Sequence, residues 1–161
     1  MISVAAINQS LIDSLLGLQL FVVLFIGLHD WIPLGPLNDV KAVRMAVSPG
    51  KLFISTVLST LPFVIGFAAS AYYADAGFPR WLLWWLWISY GLAIYGMLRT
   101  WWIPYLLIDE PTRADRYQAM FGRTHAFLPV RNGIRPDTLH IALHIVLITV
   151  IILLVVISFG P

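Results

Sequence analysis

Four long apolar runs dominate the chain. They extend over about 11–31, 52–73, 81–103 and 139–159. A helix needs about 20 apolar residues to cross the hydrocarbon core of a bilayer, and each run has that length. The first is uncharged between Asp13 and Asp30, and the second has no charge. The third is uncharged as far as Leu98, and the fourth has only His140 and His144 as ionisable groups. The runs are continuous rather than alternating, which suits helices and not the strands of a barrel. The pattern predicts an all-α polytopic membrane protein, a single domain over 1–161 with four transmembrane helices in a bundle.

The connecting segments carry their own signals. In the loop at about 32–51, Pro33, Gly35 and Pro36 come first and Pro49-Gly50 last. Asn38 or Asp39 can cap a short helix reaching Val47, with Val40, Val43 and Val47 on one face. In the loop at about 104–137, Pro111 suits a helix start. Ala114, Tyr117 and Phe121 then form an apolar stripe that ends at Gly122. Arg123 to Arg135 reads as a folded irregular stretch with a turn at Asn132-Gly133. Asp137 or Thr138 caps the fourth run. Within the second run, Ser55, Ser59, Pro62, Gly66 and Ser70 recur at helical spacing. Small residues let helices approach closely in lipid, so this stripe predicts a packing seam. Trp81, Trp84, Trp85 and Trp87 at one end of the third run, with Trp101 and Trp102 at the other, read as interfacial aromatic belts.

Composition removes several classes of function. The chain is 60% hydrophobic and 11% charged, against about 45–50% and about 25% in soluble domains. It is neither an ordinary soluble globule nor a disordered chain, and no nucleic-acid partner is expected. The absence of cysteine excludes disulfides, thiolate metal sites, iron–sulfur clusters and c-type haem attachment. Residues 1–10 contain no Lys or Arg, and no small-residue cleavage site follows the first run. That run is expected to be a retained helix rather than a signal peptide.

Charge sets the expected orientation. Lys41, Arg44 and Lys51 lie in the first long loop. Arg113, Arg116, Arg123, Arg131 and Arg135 lie in the second, with Arg99 just before it at the end of the third run, whereas the short connection between the middle runs has only Arg80. The positive-inside rule places both long loops in the cytoplasm and both termini outside, N-out and C-out, most naturally in a bacterial inner membrane.

The candidate chemistry gathers on that cytoplasmic side. His29 and Asp30 end the first run. His140 and His144 open the fourth, four residues apart and therefore on one helix face. With His125 within reach, these groups are candidate ligands for a divalent metal. Axial histidines such as His29 and His144 could instead hold one b-type haem. Arg123, Arg131 and Arg135, with His125, form a candidate site for an anionic lipid headgroup or another phosphate-bearing group. Ion-coupled transport is disfavoured, because no acid or base lies deep in any run. The H-E-x-x-H signature is absent, as are the motifs of lipid-phosphate phosphatases and CDP-alcohol phosphotransferases, so no catalytic residue is assigned. The leading expectation is a non-catalytic membrane module, either an anionic-lipid-binding protein or a subunit of a homo-oligomer or larger membrane complex. A metal- or haem-binding membrane enzyme is the alternative, and a small transporter or channel is a second one.

The charge asymmetry makes a direct prediction. Reporter fusions at residues 45 and 125 should report the cytoplasm, and fusions at residue 77 and at the C-terminus the outside. A cytoplasmic C-terminus would overturn the assignment.

Overall fold

In a computed structural model, which describes residues 4–160, the chain is all-helical apart from one isolated bridge, Arg131 with Ile134. The long helices are α1 (Val4–Leu28), α3 (Pro49–Tyr72), α4 (Arg80–Met97) and α7 (Thr138–Phe159). Shorter ones are α2 (Val40–Ala46), α5 (Ile103–Leu106) and α6 (Pro111–Phe121). Four helical segments are long and apolar enough to cross a membrane: Gln9–Leu28, Pro49–Tyr72, Arg80–Leu106 and Thr138–Phe159. The expectation for the two chain ends, Met1 and Pro161, falls outside the described residues.

The third span is longer than its apolar run because α4 does not stop at Met97. Its backbone widens over Leu98–Trp102, where the Ile103 N–H reaches back to the Leu98 carbonyl, and then continues as α5. Such an i to i+5 turn places one extra residue in the helix.

α1 packs against α3 and α7, and α4 packs against the same two helices. Their shared core holds Leu15 and Val22 of α1, Phe63 of α3, Leu82, Leu86 and Tyr90 of α4, and Leu147, Val150 and Leu154 of α7. Buried polar groups must find partners where water is excluded. Gln19, fully buried, donates to Ser70 Oγ at 3.1 Å and ties α1 to α3. α3 and α4 meet in the half of the molecule nearest their short connection. A Cβ added to Gly66 would stand 3.0 Å from Leu86 Cδ2, and Trp85 Nε1 donates to the Pro62 carbonyl at 2.9 Å.

The small-residue stripe of α3 therefore splits. Gly66 and Ser70 are buried in helix contacts, but Ser55 and Ser59 are exposed. Ser59 lies on the wall of a cavity rather than in a seam. Small residues permit close approach but do not enforce it.

The two long loops fold against each other at the end of the molecule that carries most of the basic residues, called here the basic end. Asp39 caps α2 by accepting from the Ala42 N–H at 2.9 Å, and Val40 and Val43 are buried where α2 meets α6. The His125 N–H donates to the Pro36 carbonyl, and the His125 carbonyl accepts from the Thr138 N–H. One residue thus joins the first loop, the second loop and the start of α7. The Asn132-Gly133 turn is as expected, with φ of +49° and +69°, the left-handed conformation that Asn and Gly tolerate. A second small core forms here from Trp101, Tyr105 and Ile134.

Gly66→Leu should destabilise the protein by about 1–3 kcal/mol, because the added side chain meets Leu86 directly. Val155, exposed on α7, should accept Leu within about 0.5 kcal/mol. Thermal unfolding in detergent checks this; equal melting of the two variants would show that Gly66 is not at a tight contact.

Candidate functional site

The start of α7 organises the site. Asp137 is 1% exposed, and its two carboxylate oxygens have separate tasks. Oδ1 accepts the His140 backbone N–H at 2.8 Å and caps the helix, satisfying one of the N–H groups that a helix start leaves unpaired. Oδ2 lies 2.8 Å from His140 Nδ1. A carboxylate only accepts, so His140 donates from Nδ1 and its Nε2 is free. The negative charge also sits favourably at the positive end of the α7 dipole.

Aromatic rings hold the imidazole in place. Trp101 lies 4.5 Å from His140 between ring centroids, and Phe121 of α6 lies 5.2 Å away. From α1, His29 stands edge-on to His140 at 5.6 Å. His29 Nδ1 faces the Phe25 carbonyl at 2.8 Å, and its Nε2 is 3.3 Å from Asp30 Oδ1. Asn38 fixes the chain around this turn by donating to the His29 and Ile32 carbonyls and accepting from the Leu34 N–H. One turn deeper on α7, His144 accepts a hydrogen bond at Nδ1 from Trp102 Nε1 at 3.2 Å. The widened turn in α4 lets two consecutive tryptophans address two successive histidines of α7.

Tyr117 closes the side nearest α6. Its hydroxyl donates to the Thr100 carbonyl at 2.7 Å. Burial pushes the Tyr117 phenol above its ordinary range, against the pull of nearby Arg113, so it remains a donor.

Two cavities meet at this cluster. One, of about 340 Å³, lies at the basic end and is lined by His29, Asp30, Val43, Tyr117 and Phe121, among others. The other, of about 700 Å³, is an open cleft between α3 and α4 with α7 at its back. Its walls are apolar, with Leu58, Pro62, Leu92 and Leu143 among them. On α4 it runs from Trp85 to Thr100, about 22 Å at 1.5 Å per residue. Thr100, Trp101 and His140 line both cavities, and His144 lines the cleft.

The structure thus brings together His29, Asp30, His140 and His144, with Asp137 as their anchor. The arginines go elsewhere. Arg131 is exposed and lies over the Tyr105 ring at 5.7 Å, Arg123 is exposed, and Arg135 is half-buried. None of the three lines either cavity. His125 also stays outside, with its ring bonded to Thr138 Oγ1 at 2.7 Å. Among the described residues, no three His, Asp or Glu side chains converge as metal ligands. Trp101 and Trp102 were legible only as belt residues, although they contact the histidines directly. Asp137 was legible as a cap, and its spacing of three from His140 was the available sign of its second contact.

The chain matches no protein-family model, and no curated protein or solved structure shows significant similarity to it. The reading of the site therefore rests on its own geometry.

Asp137→Asn tests the anchor. The amide oxygen can keep the cap, but an amide N–H facing His140 Nδ1 forces that nitrogen to accept. The His140 proton should move to Nε2, visible in the ¹⁵N shifts of the ring. Stability should fall by about 1–3 kcal/mol. An unchanged ring pattern would show that the carboxylate does not set the tautomer.

Proposed function

We propose that this protein is a small, non-catalytic integral membrane module that takes an amphiphile from the bilayer. The apolar chain occupies the cleft between α3 and α4, and the polar head reaches the cluster of His29, Asp30 and His140. The four helices form a transmembrane bundle in a bacterial cytoplasmic membrane, N-out and C-out, with the basic end in the cytoplasm. In that orientation Arg123, Arg131 and Arg135 face the anionic headgroups of the inner leaflet, where their charge orients the protein rather than lining the cleft.

The observation that carries this reading is the junction of the two cavities. The open apolar cleft and the smaller cavity at the basic end share Thr100, Trp101 and His140. A molecule with one apolar part and one polar part fits such a junction, whereas a fully polar solute leaves the cleft unused. The volume of the cleft is in the range of small-molecule sites.

Photolabelling tests the proposal. The protein is placed in nanodiscs with a lipid carrying a diazirine along its acyl chain, and the labelled residues are mapped. Leu58, Ser59, Leu92 and Gly96 should be labelled several-fold above Ile148 and Ile152, which are exposed on α7. Ser59→Trp should reduce cleft labelling alone. Uniform labelling of cleft and outer faces would reject the proposal.

A further inference from the structure

His140 and His144 both line the cleft, and their partners give their free nitrogens opposite characters. An indole N–H only donates. Trp102 donates to His144 Nδ1, so the neutral His144 ring carries its own proton on Nε2. Asp137 only accepts from His140 Nδ1, so the neutral His140 ring offers Nε2 as a bare acceptor. Neither Nε2 has a hydrogen-bond partner among the described residues, and neither is a sealed, unsatisfied atom. Both therefore face open space.

Two residues of the cleft wall thus carry a donor and an acceptor one helical turn apart, with ring centroids separated by 6.4 Å. Two hydrogen bonds of about 2.9 Å meeting at one oxygen, with each ring's radius added, span a separation of this size. A hydroxyl group satisfies both nitrogens at once, accepting from His144 and donating to His140. A carboxylate or a fully ionised phosphate has no hydrogen for the bare Nε2 of His140. It also meets no Lys or Arg in either cavity, while Asp30 lines one of them and Asp137 holds His140 itself. A quaternary ammonium can satisfy neither nitrogen.

The geometry points to an uncharged, long-chain, hydroxyl-bearing amphiphile as the ligand of the cleft, its hydroxyl bridging His140 Nε2 and His144 Nε2. This assignment rests on the reading of the cleft as an amphiphile site and adds the chemistry of the head. It separates the cleft ligand from the anionic lipids that the arginines attract at the surface.

Competition against the photolabel distinguishes the two levels. The nanodisc-embedded protein is titrated with 1-dodecanol, dodecyl phosphate or dodecyltrimethylammonium, which share one chain and differ in the head. Dodecanol should suppress labelling of the cleft at the lowest concentration. His144→Phe removes the donor and should weaken dodecanol competition roughly fivefold, while dodecyl phosphate changes little. If dodecyl phosphate competes as well as dodecanol on the unaltered protein, the hydroxyl assignment is wrong and the amphiphile site stands. If the cleft takes no label above the outer faces, the site itself is wrong and the assignment falls with it. The comparison of heads uses the unaltered chain, so a folding defect in the variant cannot mimic either result.

Discussion

A buried carboxylate can be kept only where hydrogen bonds replace its lost water, and Asp137 meets that demand with its own helix. One oxygen is spent on the α7 backbone and the other on the His140 ring. The arrangement links two things that need not be linked, the start of a span and the orientation of an imidazole. Three elements pack on that ring. Trp101 packs on it from α4, Phe121 from α6 and His29 from α1. The loop that precedes α7 is held at the same place by the backbone pairing of His125 with Thr138 and Pro36. The loops are thus ordered by the end of a helix as well as by the small core around Trp101, Tyr105 and Ile134.

The cleft follows from a different constraint. In water, an apolar gap of this size between two helices would be closed by the hydrophobic effect. In lipid that force is absent, because a side chain gains nothing by exchanging an acyl chain for another side chain. Contact between α3 and α4 then depends on specific packing and hydrogen bonding, supplied where Gly66 meets Leu86, where Trp85 reaches Pro62 and where Phe63 stacks edge-on against Tyr90. Nearer the basic end, Ser59 and Gly96 are small enough for a close crossing, yet both line the cavity instead. The same physics explains why the two cavities differ. The one among the loops mixes His29, Asp30 and Tyr117 with aliphatic Val43, Val47, Leu52 and Met120, and the one between the spans is almost wholly apolar.

Much of this was legible in the sequence, and the limits have physical causes. The spans follow from uninterrupted apolar runs. The α2 and α6 helices follow from Asp39, Pro111 and the spacing of their apolar residues. The meeting of His29 with His140 follows from the ends of two spans lying on one side. The direction of side chains in irregular backbone is a different matter. Arg131 and Arg135 are close to α7 in sequence, but the Asn132-Gly133 turn sends Arg131 over Tyr105 instead. His125 joins the neighbourhood through its backbone, which no residue type announces. The contacts of Trp101 and Trp102 with the histidines were not legible, because no residue type announces the widened turn, with its one extra residue, that carries both indoles.

The extra residue of the third span is absorbed within one turn, so the helix keeps its phase on either side of it. An added residue in a regular helix rotates everything beyond it by about 100°; here the widened turn takes up that rotation locally. Pro104 and Tyr105, buried beyond it, therefore sit where a helix one residue shorter would place their equivalents. Removing one residue between Met97 and Ile103 would restore an ordinary turn and leave α5 in place, but Trp101 and Trp102 could then no longer both keep their places against His140 and His144. The span can thus lose the residue without losing its course, and what it would give up is one of the two indoles.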